Sequence, residues 1–154
     1  MQEYEHTGVL TEDDLDLPSE KQLRKGVAVI ECIQKIPCNP CVDICPTDAI
    51  SMENINAPPH VDFEACIGCG KCVAICPGLA CFVIKLEDDH ALVTLPHEML
   101  PLPGKGDTVA ALNRRGEKIG EGIVRSVKKD DTPVITVEVA PELAMQTRAV
   151  EVEP

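Results

Sequence analysis

Nine cysteines among 154 residues are the side chains best suited to chemistry, and all of them lie within residues 27–86. Residues 66–77 have the pattern C-x2-C-x2-C-x3-C-P without deviation. Three thiolates at this spacing let one loop wrap a four-iron cluster, while the fourth cysteine reaches a second cluster. Gly68 and Gly70 allow the backbone to come close to the sulfur atoms. The pattern therefore predicts iron–sulfur chemistry.

An internal repeat supports this interpretation. Residues 41–50 match residues 72–81 at an offset of 31, and both blocks contain a Cys-x3-Cys-Pro sequence. Short apolar segments that are typical of strands flank both blocks. They are residues 27–30 and 49–52 in the first half, and residues 60–63 and 81–84 in the second. Each half is therefore predicted to run strand, cysteine loop, short helix, strand.

The first cysteine run is less regular, because five residues separate Cys32 from Cys38. Regular spacing would place a cysteine at position 35, which is Lys35. We interpret Cys32 as the first ligand, with three extra residues between Gln34 and Pro37 bulging the loop. The alternative is that Cys32 is a buried strand residue, which would leave this site with a three-iron or labile cluster.

Residues 27–86 resemble the two-cluster bacterial ferredoxins in both cysteine runs. The resemblance implies a ferredoxin-like α+β fold, with two halves related by a pseudo-twofold axis, and two [4Fe–4S] clusters. It implies that one cluster is held by Cys32, Cys38, Cys41 and Cys76. It implies that the other is held by Cys66, Cys69, Cys72 and Cys45.

Two alternatives concern the metal and the ninth cysteine. Two C-x2-C pairs are also typical of structural zinc, but a third cysteine followed by x3-Cys-Pro favours a cluster. Cys81 aligns with Ile50 in the repeat and is expected to fill an apolar position beside a cluster. A spare ligand or a redox thiol is the other interpretation of Cys81.

The regions outside the cysteines contain no chemical motif. Residues 1–26 form an acidic extension with a predicted short helix, in which Ser19 is the N-cap and Gly26 the end. Residues 87–154 are predicted to form a small, mostly β domain that packs against the cysteine region or against a partner for its stability. Its strands are expected at residues 108–112, 117–127 and 133–139.

The charge excludes some classes of partner. The chain has 26 acidic and 14 basic residues, a net charge of −12. This acidity argues against binding to nucleic acid or to an anionic membrane surface, and it suits a partner with a basic face. No segment is apolar enough to span a membrane, and residues 1–17 do not have the pattern of a secretory signal. We therefore expect a cytoplasmic protein.

Electron transfer is the function that the clusters imply, and no catalytic group of the chain's own is evident. Residues 26–41 also resemble the iron–sulfur subunits of multisubunit, FAD-dependent dehydrogenases of the proline, hydroxyproline, sarcosine and opine type. That resemblance implies flavoprotein partners that oxidise an amino or imino acid. A freely diffusing ferredoxin with an accessory β domain is one alternative. An assembly or regulatory module with structural or oxygen-sensing clusters is another.

Overall fold

The computed structural model describes residues 3–33, 35–129 and 131–153. Its helices are α1 (Glu3–Thr7), α2 (Glu20–Lys25), α3 (Pro40–Ile44) and α4 (Lys71–Ile75), with 3-10 turns at Glu12–Asp14 and Pro141–Leu143. Its strands are β1 (Val27–Ile30), β2 (Ile50–Ser51), β3 (His60–Val61), β4 (Cys81–Leu86), β5 (Ala91–Pro96), β6 (Thr108–Leu112), β7 (Lys118–Lys128), β8 (Val134–Val139) and β9 (Ala149–Glu151).

Seven strands form one antiparallel sheet in the order β1-β4-β5-β8-β7-β6-β9, and β2 pairs with β3 separately. β4 and β5 are consecutive strands that pair with each other, so the sheet continues across residue 86. The sequence predicts a domain boundary there. The division into residues 1–26, 27–86 and 87–154 stays a prediction, but the last two regions share one sheet.

The pattern of burial along the central strands explains where the core lies. Side chains alternate between the two faces of a strand. In β5 this alternation buries Val93 and Leu95, and in β8 it buries Ile135 and Val137. These aliphatic side chains fill the core on one face of the sheet. The opposite face is left for the residues that alternate with them, and part of it is covered by the cysteine region.

The predicted helix near residue 20 is confirmed, and its ends have clear causes. The Gln22 N–H donates to Ser19 Oγ at 3.3 Å, and the Ser19 N–H donates to Gln22 Oε1 at 2.9 Å. This capping box satisfies backbone donors of the first turn. Gly26 has a φ of 92°, which only glycine adopts readily, and it directs the chain from α2 into β1.

The other sequence-based elements are confirmed with small shifts. β1 and β6 match residues 27–30 and 108–112, while β7 and β8 each begin one residue later than expected. β5 and β9 were not predicted as individual strands. α4 packs on β4 and β5, and α3 packs on α4, so both short helices lie beside the sheet. Within the described residues, no helix has the length and apolar character needed to cross a bilayer.

Candidate metal centre

Four of the predicted ligands surround one cavity, which we call the Cys66 cavity. Its lining includes Cys45, Cys66, Cys69 and Cys72. The remaining lining is mostly apolar and includes Ala28 of β1 and Val83 of β4. This is the ligand set that the resemblance assigns to the second cysteine run, with Cys45 contributed by the first.

The loop between Cys66 and Cys72 is shaped by its two glycines. Gly68 and Gly70 have φ values of 67° and 79°, in the left-handed region. A Cβ atom on Gly68 would lie 2.7 Å from the carbonyl oxygen of Gly26, so the loop passes too close to that backbone for any side chain. Cys66 and Cys72 are buried, whereas Cys69 is exposed. The loop therefore brings one of its three thiols to the surface.

The other four predicted ligands line a second cavity, which we call the Cys38 cavity. Its cysteines are Cys32, Cys38, Cys41, Cys76 and Cys81. The Cys38 N–H donates to the carbonyl oxygen of Ile55 at 3.1 Å, which fixes this loop to the segment before β3. Of the predicted bulge between Gln34 and Pro37, Gln34 lies outside the described residues. Cys32 lines the cavity together with the other members of its predicted set.

Cys45 and Cys76 each line the cavity of the opposite cysteine run. Cys45 ends α3 but lines the Cys66 cavity, and Cys76 ends α4 but lines the Cys38 cavity. Both are followed by the same turn. Asp48 and Leu79, which are 31 residues apart, both have a φ of 54°. Ala49 N–H then donates to Cys45 Sγ at 3.3 Å, and Ala80 N–H donates to Cys76 Sγ at 3.5 Å.

These N–H groups favour the thiolate form that a metal site requires. Burial opposes ionisation of Cys45, but backbone hydrogen bonds from Thr47 and Ala49 outweigh it and lower the pKa of this thiol. Cys66 receives a comparable bond, because the Ala28 N–H of β1 donates to its Sγ at 3.3 Å. Burial, followed by the nearby Cys76, instead raises the pKa of Cys41 to about 11.

Cys81 lines the Cys38 cavity beside the predicted ligands. It is 1% exposed on β4, as expected for a residue in an apolar position. Its thiol lies within hydrogen-bonding reach of Cys72 in one predicted set and of Cys76 in the other. A hydrogen bond from Cys81 lowers the pKa of Cys76 to about 5, and these two partners raise the pKa of Cys81 itself.

The chemistry of the two linings fits a [4Fe–4S] cluster in each. Such a cluster takes four thiolates, one on each iron, so its ligands surround a cavity. Each of the two cavities has its four predicted thiols, mostly apolar walls and backbone N–H donors to sulfur. In the part of the chain that the structure describes, no three His, Cys, Asp or Glu side chains converge on one point at distances suited to a single metal ion.

An ion network next to Cys32 was missed by sequence reasoning. Glu31 binds two guanidinium groups, from Arg114 in the turn after β6 and from Arg148 just before β9. Arg148 also lies over the ring of Phe82, with its Cζ atom 5.0 Å from the centroid. No local sequence pattern predicts that these residues form ion pairs, because they are far apart along the chain.

Known proteins match the cysteine region. A family described as "4Fe-4S dicluster domain" matches residues 31–80, a segment that holds the eight predicted ligands. The chain therefore contains an iron–sulfur domain of the ferredoxin type.

Three relatives show the extent of the similarity. The first is a protein of Pyrococcus furiosus described as an aliphatic sulfonate oxidoreductase, polyferredoxin-like subunit. The two sequences are 40% identical over 57 residues, and this aligned segment covers 37% of this chain and 33% of the relative. This chain is 39% identical over 72 residues to an uncharacterized ferredoxin of Methanocaldococcus jannaschii, covering 44% of each chain. It is 53% identical over 38 residues to the thiosulfate reductase electron transfer subunit PhsB of Salmonella typhi, covering 25% of this chain and 19% of that one.

The similarity to these proteins is confined to part of each sequence. The aligned segments span less than half the length of each of the three relatives. No solved structure matches this chain.

Proposed function

We propose that this chain is an iron–sulfur electron-transfer subunit that relays single electrons through two [4Fe–4S] clusters. The observation that carries the proposal is the partition of eight cysteines into two cavities. Cys45 and Cys76 each line the cavity of the opposite run, as the ferredoxin resemblance implies. When bound, such clusters supply one-electron oxidation and reduction.

The proposed ligand sets assign a role to each cysteine. Cys32, Cys38, Cys41 and Cys76 hold one cluster. Cys66, Cys69, Cys72 and Cys45 hold the other. Backbone N–H groups of Ala28, Ala49 and Ala80 stabilise negative charge on the ligating sulfurs. The apolar walls limit the access of water to both cavities, and the exposed Cys69 gives the Cys66 cavity the most direct approach from outside.

We further propose that the partner is a flavoprotein dehydrogenase that oxidises an amino or imino acid. The support for this partner is the resemblance of residues 26–41 to the iron–sulfur subunits of such complexes. The Pyrococcus and Salmonella relatives carry names of oxidoreductase subunits, which supports a role inside a complex. The net charge of −12 favours a partner with a basic face and association that weakens as salt rises.

A count of iron and acid-labile sulfide on the anaerobically purified chain tests the cofactors. Two clusters predict about eight irons and about eight sulfides per chain. The Cys32→Ser variant is expected to fall to about seven or about four irons, since a cluster that loses one of its four thiolates loses an iron or is lost entirely. A count of zinc without sulfide would overturn the proposal. An unchanged iron count both in Cys32→Ser and in Cys32→Ala, whose side chain cannot ligate iron, would remove Cys32 from the ligand set.

Anaerobic capture of the tagged chain from its native host tests the partner. Flavoprotein subunits should co-purify, and their bound flavin should bleach when the correct amino or imino acid is added. Capture with the tag alone is the control. Recovery of the chain as an iron–sulfur monomer would instead favour the freely diffusing ferredoxin. The assembly or regulatory module would be favoured by two results together. Loss of the clusters would change the binding of partner proteins, and no reductant would cycle the clusters between their oxidised and reduced states.

A further inference from the structure

A groove beside the Cys66 cavity is not used by the proposed electron transfer. Its floor is a row of hydroxyl residues on three neighbouring strands, Thr94 of β5, Thr136 of β8 and Ser126 of β7. One wall is the loop from Gly68 to Lys71, and Lys128 stands at the end of β7. We call it the hydroxyl groove. Its volume is about 300 Å³, at the lower end of the range of roughly 300–1,000 Å³ that is typical of small-molecule sites.

The strand register explains why the groove lies next to the predicted cluster. Thr136 is opposite Thr94 and also opposite Ser126, so the three hydroxyls share one face. On its other side Thr94 is opposite Val83, which in turn is opposite Ala28. Val83 and Ala28 line the Cys66 cavity. One row of side chains therefore runs from that cavity into the groove.

The charge of the groove is opposite to that of the chain as a whole. The chain has 26 acidic residues, yet the described residues lining the groove include two lysines and no carboxylate. Lys85 and Lys118 each form an ion pair with a glutamate. Across residues 3–33, 35–129 and 131–153, Lys71 and Lys128 form no such pair, so their ammonium groups are available to an anion.

The floor adds hydrogen-bonding capacity. The Thr94 and Thr136 hydroxyls are 2.9 Å apart, so one donates to the other and the accepting hydroxyl keeps its own donor. Ser126 contributes a third hydroxyl. Together with the two ammonium groups, these hydroxyls form a set of donors that suits the three terminal oxygens and the charge of a phosphate.

We infer that the hydroxyl groove binds a phosphorylated small organic ligand. Lys71 and Lys128 contact its phosphate and the three hydroxyls complete the set of donors. Cys69, Gly70 and Lys71 line both this groove and the Cys66 cavity, so the ligand lies against the exposed end of the proposed cluster site. The inference concerns binding alone and does not depend on electron transfer.

The test uses FMN as the probe and riboflavin as its phosphate-free counterpart. The full chain, purified anaerobically, is titrated with each compound while flavin fluorescence and heat are followed. We expect saturable binding of one FMN per chain, competition by inorganic phosphate, and riboflavin binding weaker by about tenfold or more, since a charge-assisted bond contributes about that factor.

Variants of groove residues outside the proposed cysteine ligand sets locate the site. Lys128→Gln and Thr136→Val should each weaken FMN binding by about tenfold, since each removes one donor to a charged group. Both should keep the iron content of the parent chain. Lys118→Gln, which makes the same change of charge at the opposite end of β7, should leave FMN affinity unchanged. Absence of saturable FMN binding, equal affinity for riboflavin, or FMN affinity unchanged in both groove variants would each overturn the inference.

Discussion

Arg114 holds Glu31 through two parallel hydrogen bonds, Nε to Oε1 at 2.8 Å and Nη2 to Oε2 at 3.0 Å, although 83 residues separate them. Arg148 binds the same carboxylate from the far end of the chain. All three side chains are buried, with exposed fractions of 8% for Glu31, 9% for Arg114 and 4% for Arg148. Because Glu31 precedes Cys32, this network fixes the C-terminal β region to the first cysteine loop.

The Glu31→Gln variant should be destabilised by about 3 kcal/mol or more, because it leaves two buried guanidinium groups without their counterion. The measurement is the free energy of unfolding from anaerobic urea denaturation. Glu153→Gln is the matched control, since its ion pair with Lys118 is about half exposed and should contribute less than about 1 kcal/mol. Equal losses in the two variants would contradict a structural role for the buried network.

The Gly68→Ala variant should lose the iron held in the Cys66 cavity. The added Cβ would lie 2.7 Å from the Gly26 carbonyl oxygen, and the residue would have to keep a φ of 67°. Either the loop moves or α2 and β1 shift, so the thiols of Cys66 and Cys69 leave their positions. We expect iron to fall from about eight to about four per chain.

Gly78→Ala is the control for this prediction, because no atom lies within 4 Å of a Cβ at that position. It should keep the iron content of the parent chain. A Gly68→Ala chain with unchanged iron would show that the loop adapts without cost. Loss of iron in both variants would show that the effect is not specific to the contact with Gly26.

Local features of the sequence predicted much of the site but not how its surroundings assemble. The cysteine runs, the capping box at Ser19 and the strands β6 to β8 depend on spacing and alternation over a few residues. The pairing of β4 with β5, the Glu31 network and the hydroxyl row depend on contacts between distant segments. The row from Ala28 to Ser126 crosses five strands, and only their register brings its members together.

For Cys81, too, the sequence predicts burial but not the residues that surround the side chain. The repeat correctly places it in a buried position, because it aligns with Ile50, which is also buried. The sequence gives no sign that it lies between Cys72 and Cys76. That contact arises where the start of β4 passes α4, and it places the thiol beside one member of each predicted ligand set.

The Cys81→Ala variant separates the role of a donor from that of a ligand. If Cys81 donates its S–H to the sulfur of Cys72 or of Cys76, its loss should leave about eight irons and lower the reduction potential of the cluster that accepts the bond. Removal of one such hydrogen bond, worth about 1 kcal/mol, corresponds to on the order of 40 mV for a one-electron couple. Anaerobic voltammetry measures the shift, and Cys81→Ser, which keeps a donor, should restore most of it. A fall in iron content would identify Cys81 as a ligand, and unchanged potentials would leave it a packing residue only.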